Sequence, residues 1–351
     1  MPQPELLWRD RRFFPLLLLL CACVVLWLLQ VWAEVMTPLV VALVLSYLLN
    51  PIVQWHVLRR VPRALTVTLV VGALVCMTAG LVLGVWPEVW RQAQAFIAAL
   101  PSMVVQGQAY VAKLPELFPG LIHAEQIERL MQSLELQLLR VFDDLLAVSL
   151  SGVRGIFQWL AFAIIVPMMV FFLLKDQQQL LSAFADLQPQ YRQRWLAIWQ
   201  ALDQQWLGYL RGKILECALM IVTSYLLFLW FELPYALLLA VLVGVSVFAP
   251  YIGIAVVSVP VVLVSVSQLG VTGSGAHLLT GYVILQLLDA YLLVPLLFAT
   301  LVNVGPFYIL LSILVFGSLA GFWGVLLAIP LASLCAVAWQ FSRPSHDEVG
   351  S

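Results

Sequence analysis

The sequence predicts an all-α polytopic membrane protein with about eight spans. Between Glu232 and Arg343 the only formally charged side chain is Asp289. A soluble domain lacks the interior to bury an apolar run of that length, so the run must lie in a bilayer. The 351 residues are 63% hydrophobic and 10% charged, against roughly 45–50% and 25% in soluble proteins. The formal net charge of −1 creates no field that would gather nucleic acid.

The first third of the chain contains three apolar segments of about 20 residues, the length that crosses a bilayer. These segments are Phe13–Ala33, Val35–Val53 and Arg63–Val85. The first segment follows arginines, as in a signal peptide, but it has no A-x-A cleavage site and another apolar run follows directly. We therefore expect a retained span. Lysine and arginine occur before this span and in the second connection but not in the first, which places the N-terminus in the cytoplasm.

The middle of the chain is more polar. Residues 87–151 are predicted to form an extracytoplasmic helical segment, in which apolar residues recur at three- and four-residue steps from Ile127 to Val148. That amphipathic helix could pack on its own protein or form an oligomer contact, and the pattern favours neither. A fourth span, Ile156–Leu174, returns to the cytoplasm. After a break at Pro189, tryptophans on one helical face predict a helix at the membrane surface that ends near Leu210.

The predicted organisation has six parts. Residues 1–86 hold the first three spans, 87–151 the extracytoplasmic segment, 152–175 the fourth span, 176–210 cytoplasmic surface helices, 211–342 the C-terminal transport core and 343–351 a cytoplasmic tail. Both termini are expected in the cytoplasm. The five cysteines have no metal-site spacing, so no metal or cofactor is predicted.

The transport core contains a possible repeat at an offset of about 72 residues. Each copy is a span followed by an uncharged block of 35 to 39 residues, which is too long for one span and slightly short for two. Glycine and proline interrupt both blocks, which favours a re-entrant hairpin or a pair of broken helices. A span plus a hairpin, repeated once, gives the inverted repeat of many secondary transporters. Chance alignment of leucine- and valine-rich segments is the alternative. The matched landmarks are Ile214–Phe231, Pro234, Gly253 and Pro260 in the first copy, and Asp289, Pro306, Gly324 and Pro330 in the second.

Asp289 belongs to a polar stripe on an otherwise apolar helix. Tyr282, Gln286 and Asp289 occur at i, i+4 and i+7, which places them on one helical face. A carboxylate within the bilayer costs several kcal/mol and usually has a function. Burial favours the neutral form of a carboxyl group, so such a residue can exchange protons. A purely structural aspartate that hydrogen-bonds neighbouring helices is the alternative.

Several short strings, taken together and in order, resemble one family over nearly the whole chain. They are Pro38–Ala42, Leu45–Pro51, Pro167, Phe171–Asp176, Gly208–Lys213, Ala249–Gly253, Gln286-x-x-Asp289 with Pro295, and Gly324–Pro330. This combination is similar to the autoinducer-2 exporter (AI-2E, permease-like) family of bacterial inner-membrane proteins. The resemblance implies a homo-oligomeric transporter of about eight helices that exports a small polar signalling molecule. Some relatives are described as sodium or lithium/proton antiporters.

The chain departs from the family pattern near its aspartate. The family usually has asparagine directly after the aspartate and a basic residue soon after the following proline, whereas this chain has Ala290 and Leu296-Leu297. Gly305 stands where the family often has histidine. These differences favour a different substrate or a weaker coupling.

The leading hypothesis is a secondary transporter whose partners are the lipid bilayer, a small polar solute, a proton or sodium ion, and further copies of the chain. Asp289 would bind the proton or cation, and Gln286 and Tyr282 would complete the polar site. Interrupted backbone would offer free carbonyl and N–H groups; the candidate positions are Pro250, Tyr251, Gly253, Gly321 and Gly324.

Other functions remain possible from the sequence alone. A sodium(lithium)/proton antiporter is one alternative, and a passive oligomeric pore with a ring of Asp289 side chains is another. A non-transport scaffold would use the amphipathic helices instead. An enzyme is not predicted, since the chain has no H-E-x-x-H, G-x-S-x-G or P-loop motif.

Overall fold

The computed structural model of the protein describes residues 33–111, 152–177, 192–298 and 306–333, together with residues 24, 179, 180, 182 and 335. All regular secondary structure in this part of the chain is helical, as predicted. The helices are α1 (Ala33–Leu58), α2 (Arg63–Gly84), α3 (Trp86–Val111), α4 (Gly152–Lys175), α5 (Arg192–Trp230), α6 (Ala236–Ser246), α7 (Ile252–Leu269), α8 (Ser274–Leu288), α9 (Val294–Phe298) and α10 (Pro306–Leu326), with a π-helical turn at Asp289–Leu293 between α8 and α9.

Within the described residues, five helical stretches are long and apolar enough to cross a membrane. They are Thr37–Leu58, Arg63–Gly107, Trp206–Trp230, Ile252–Leu269 and Ser274–Phe298. Large apolar side chains on these stretches are exposed, among them Leu69 and Leu226. Exposed apolar surface of this extent is covered by lipid in a membrane protein. The predicted first span, apart from Val24 and Ala33, and the helix Ile127–Val148 lie outside the described residues.

The predicted second and third spans correspond to α1 and α2. The α2 helix matches its predicted bounds within one residue, whereas α1 continues to Leu58, five residues beyond the predicted end. Pro38 and Pro51 both lie inside α1. Each proline removes one backbone hydrogen bond, and membrane helices tolerate that loss because neighbouring groups satisfy the freed carbonyls.

The chain forms two compact units. The first unit comprises Met1–Leu74, Phe162–Lys213 and Phe298–Ser351, and the second comprises Val75–Ala161 and Ile214–Leu297. In the first unit, buried side chains of α1, α2 and α4 form one core. Its members include Ala42, Val53, Val67, Val170 and Leu174.

Arg63 joins two helix ends in the first unit. Its Nε and Nη2 atoms donate to the carbonyl oxygen of Leu174 at 3.0 and 2.8 Å, and Nη2 also donates to Gln177 Oε1 at 3.1 Å. The last carbonyls of a helix lack intrahelical partners and carry partial negative charge, so a guanidinium is favourable there. The start of α2 and the end of α4 therefore lie side by side.

The second unit has a core built from α3, α5, α6, α7 and α8. Its buried members include Met103, Phe228, Leu239, Val261 and Leu278. The α3 helix packs against both α6 and α7. Gln92 of α3 accepts a hydrogen bond from the backbone N–H of Leu238 at 3.0 Å. Leu238 lies in the first turn of α6, where backbone N–H groups have no helical partner, so Gln92 satisfies one of them.

The α6 and α7 helices form a tight hairpin. The α6 helix has 11 residues and is therefore about 16 Å long, roughly half the thickness of the hydrocarbon core. The chain then reverses through a turn in which Tyr251 has a φ of 63°. A β-carbon at Gly253 would collide with the backbone carbonyl of Ser246. The hairpin can close only because residue 253 is glycine, and its first limb is too short to cross the bilayer.

The chain also folds back within α10. In a straight helix, residues eight apart are separated by about 12 Å. A β-carbon at Gly324 would nevertheless collide with the backbone carbonyl of Phe316, and the Phe316 side chain packs against Leu331. Gly321 lies between the two, with a left-handed φ of 56°. Glycine has no β-carbon to clash in that conformation, so it permits the reversal.

The α5 helix corrects one expectation. The sequence predicts a surface helix that ends near Leu210 and a separate span that begins at Ile214, but α5 runs without interruption over 39 residues. It contains no proline, and its isolated glycines, Gly208 and Gly212, cost about 1 kcal/mol each without ending a helix. At about 1.5 Å per residue, α5 is about 58 Å long.

Candidate functional site

Asp289 lies directly after α8, where the chain departs from α-helical geometry. The N–H of Val294 bonds to the Asp289 carbonyl, five residues back, which defines the π-helical turn. Pro295 follows directly, and a proline ring clashes with the carbonyl of the preceding helical turn. A wider turn relieves that clash, and such turns are frequent at functional sites. The Asp289 side chain is 4% exposed.

Tyr282 is held between two other helices of the second unit. Its hydroxyl lies 3.1 Å from Ser258 Oγ on α7. Ser258 donates its one hydroxyl proton to the carbonyl of Ile254 at 2.7 Å, so Tyr282 is the donor to Ser258. The Tyr282 ring also packs beside Phe228 of α5, with ring centroids 6.2 Å apart. These contacts fix the phenol inside the unit.

Gln286 is half-buried and lies between Tyr282 and Asp289 along the helix. Both polar atoms of its amide are buried, and the amide interacts with the Tyr282 hydroxyl outside good hydrogen-bond geometry. An unsatisfied buried polar group costs about 1–3 kcal/mol. Tyr282 and Asp289 are both buried. The stripe predicted from helical spacing therefore faces the interior of the second unit and carries unused hydrogen-bonding capacity.

Ser224 of α5 lies at the same depth as Gln286. The chain reverses between α5 and α6, where Gly244 lies against Cys217 and Ile221, and again between α6 and α7 and between α7 and α8, so α5 and α8 run antiparallel. Phe228 contacts Tyr282, which aligns the two helices. One turn back on α5 is Ser224, and one turn further on α8 is Gln286. Ser224 is fully buried, and its hydroxyl has no hydrogen-bond partner within the described residues.

Glu216 is a second buried carboxylate in this unit, with 2% exposure. The antiparallel register puts Asp289 at the depth of Ile221 on α5, so Glu216 lies roughly 8 Å further along the same axis. Sequence reasoning missed Glu216 because it is the third residue of the predicted fifth span. A carboxylate near a span end is ordinarily expected to reach the interface.

The turn from Pro250 to Gly253 lies at the depth of Asp289 in the same register, because Ser258 of α7 is opposite Tyr282 of α8. Its backbone groups are less available than the sequence suggested. The N–H of Ile252 donates to the carbonyl of Pro250 at 2.7 Å, and the N–H of Gly253 donates to the carbonyl of Ala249 at 2.8 Å. The turn itself therefore uses the N–H groups of Ile252 and Gly253, and the role of this segment in binding a solute stays a prediction.

Comparison with known proteins identifies the family. The model of the AI-2E family transporter matches residues 14–343. The chain belongs to the AI-2E family. It is 38% identical over 307 residues to "Putative permease PerM" of Escherichia coli K12, which covers 86% of each chain. It is 26% identical over 314 residues to "Putative transport protein YrrI" of Bacillus subtilis 168, covering 86% of this chain and 84% of that protein.

A further relative, "Putative transport protein YhhT" of Escherichia coli K12, is 26% identical over 318 residues, covering 89% of this chain and 86% of that protein. The AI-2E family is a family of transporters. This chain is therefore a membrane transporter and not an enzyme, as the sequence predicts.

Gly321 and Gly324, two of the candidate binding residues, lie in the first unit, whereas Asp289 lies in the second. Gly324 is buried against the carbonyl of Phe316, and Gly321 is exposed. Both shape the reversal within α10. In the part of the chain that the structure describes, no group of three or more His, Cys, Asp or Glu side chains is arranged to hold a metal ion.

Proposed function

We propose that this AI-2E family member is a secondary transporter of a small polar solute in the bacterial inner membrane, coupled to protons or cations through Asp289. The supporting observation is a carboxylate with 4% exposure at a π-helical turn inside the apolar stretch Ser274–Phe298. Protonation or cation binding neutralises a buried carboxylate, and release of the proton or cation restores its charge. That change of charge can bias the conformations in which the site is open.

The interrupted backbone near Asp289 supports a binding role. Pro295 has no N–H, so the helix cannot complete its backbone hydrogen bonds just beyond the π-helical turn. Transporters use such interruptions to present backbone groups to solutes and ions. The turn from Pro250 to Gly253 lies at the same depth. Two interruptions of helical backbone therefore occur at the depth of Asp289 in the second unit.

Ser224 and Gln286, which lie at the same depth, favour a polar solute over a bare cation. The amide of Gln286 offers donors as well as an acceptor, and all of them are buried. A hydroxyl group on a solute both donates and accepts and could satisfy them together. A sodium or lithium ion would use only the oxygen atoms and would leave the amide nitrogen unpaired.

Two similar glycine contacts support the inverted repeat that we propose for the transport core. Gly253 lies against the carbonyl of Ser246, and Gly324 lies against the carbonyl of Phe316. The two glycines are 71 residues apart, close to the offset found in the sequence. In each copy a glycine allows the chain to reverse closely on itself. The residues that match in the sequence repeat therefore also make similar backbone contacts.

Flux measurements in proteoliposomes test this function. Purified full-length protein would be given candidate hydroxylated solutes under an imposed pH or sodium gradient. Coupled transport accumulates solute above its external concentration, whereas a passive pore only equilibrates it. A sodium(lithium)/proton antiporter would move protons on addition of sodium without any organic solute. Equilibration that no gradient alters would contradict the proposal and favour the pore.

Ser224→Ala is expected to weaken solute binding. Loss of one hydrogen bond costs about 1 kcal/mol, which corresponds to a roughly fivefold higher KM. Folding should be unchanged, because the hydroxyl has no partner among the described residues. Ser265→Ala is the matched control, since Ser265 is equally buried and its hydroxyl also has no partner among the described residues. Ser265 lies near the C-terminal end of α7, whereas Asp289 lies at the depth of the N-terminal end of α7. Equal KM values for both variants would remove Ser224 from the site.

We also propose that both termini are cytoplasmic and that the protein forms homo-oligomers. The distribution of lysine and arginine supports the orientation. A cytoplasm-dependent fluorescent reporter fused after Gln340 should be active, and an alkaline phosphatase fusion at the same position should be inactive. The reverse pattern would overturn this orientation and, with it, the inverted repeat.

A further inference from the structure

One end of the first unit gathers basic side chains from two separate connections. Arg59 and Arg60 lie in the turn between α1 and α2, and both are exposed. Lys175, the last residue of α4, is also exposed. Because Arg63 binds the carbonyl of Leu174, the end of α4 is held beside that turn. Three exposed cations are thus brought to one end of the unit.

Within the described residues, no acidic side chain forms an ion pair with Arg59, Arg60 or Lys175. The ion pair found in that part of the chain joins Arg91 to Glu88, in the second unit. Asp176 follows Lys175 and is half-buried, but it lies outside ion-pair distance of the three cations. Arg63 is occupied by its bonds to Leu174 and Gln177. The three exposed charges are therefore available to an external anion.

Apolar side chains lie beside the same cations. Leu58 is 83% exposed and Trp55 is 49% exposed. The guanidinium of Arg59 lies 3.7 Å from the centroid of the Trp55 ring. A tryptophan at a helix end, next to basic side chains, is typical of the interface between hydrocarbon and lipid headgroups. A ligand that suits this surface has an anionic group next to a hydrocarbon chain.

We propose that Arg59, Arg60 and Lys175 form a binding site for the headgroup phosphate of an anionic phospholipid, whose acyl chains lie against Trp55 and Leu58. Juxtamembrane basic clusters attract anionic lipids, and a guanidinium binds phosphate through paired hydrogen bonds. A free phosphate would leave the exposed leucine and tryptophan uncovered. This site is in the first unit, and the proposal holds whether or not Asp289 couples transport.

Native mass spectrometry of the detergent-purified full-length protein tests the site. Phosphatidylglycerol and phosphatidylcholine with identical acyl chains would be titrated separately. We expect at least tenfold tighter binding of phosphatidylglycerol. The triple variant Arg59→Gln, Arg60→Gln, Lys175→Gln should reduce that preference to within twofold. Arg59→Lys with Arg60→Lys should keep most of it, because the charges remain.

Arg91→Gln is the matched control, since Arg91 is an exposed arginine already paired with Glu88 at 2.6 Å. It should retain the parent's lipid preference. If the triple variant fails to purify as folded protein, the single variant Arg60→Gln should lower the preference two- to fourfold. An equal affinity of the parent for both lipids would overturn the proposal. Full preference in the triple or single variant, or displacement of the lipid by millimolar inorganic phosphate, would also overturn it.

Discussion

Asp289→Asn is expected to lower gradient-driven transport at least tenfold per folded molecule. Asparagine keeps the size and hydrogen-bonding capacity of the side chain but cannot take up or release a proton. Folding and insertion should be intact or improved, because a formal charge in the bilayer is costly. Transport would be measured in proteoliposomes with and without an imposed gradient and normalised to folded protein. Uncoupled exchange should survive better than accumulation.

Gln286→Ala, on the same helical face, is the variant to compare with Asp289→Asn. It removes hydrogen-bonding groups without removing a titratable one, so it should weaken solute affinity by about 1 kcal/mol and leave the dependence on the gradient unchanged. A structural role for Asp289 would produce a different result, namely lower folded yield with normal transport per molecule. Equal accumulation by Asp289→Asn and the parent would reject the coupling role.

Local periodicity accounts for much of what the sequence could predict. The bounds of α2 follow from one uninterrupted apolar segment, and the sequence placed them within one residue. The polar stripe of Tyr282, Gln286 and Asp289 follows from helical spacing alone, and in the structure it lies on the interior face of α8 and the π-helical turn. Both features depend on residues within a few turns of one another, where the physical rules are simple.

Features that depend on packing between helices were not predictable. Ser224 and Ser258 look like ordinary small residues in apolar runs, and only the contacts of α5 and α7 with α8 show that they belong near the polar stripe. The α5 helix continues through Gly208 and Gly212 because the other residues stabilise the helix more than these two glycines destabilise it. That balance could not be read from the glycines alone. The π-helical turn at Asp289 is a local response to Pro295, but proline alone is equally compatible with a simple kink.

Gly253→Ala and Gly324→Ala are expected to prevent normal closure of the two hairpins. In each case the new β-carbon would collide with a backbone carbonyl, of Ser246 or of Phe316. A backbone atom cannot move aside as a flexible side chain can, so the strain should cost about 3 kcal/mol or more. Folded yield by size-exclusion chromatography and the melting temperature in detergent would both fall sharply.

Alanine substitutions at two other glycines, Gly80 and Gly321, should have smaller effects on stability. Gly80→Ala, on α2, meets no atom within 4 Å, and alanine is the better helix former by about 1 kcal/mol, so this variant should be neutral or slightly more stable. Gly321→Ala also has open space but must adopt a φ of 56°, which costs about 1–2 kcal/mol. Its melting temperature should lie between those of Gly80→Ala and Gly324→Ala. If Gly253→Ala and Gly324→Ala melt like the parent, neither hairpin closes through its glycine, and the structural support for the repeat is lost.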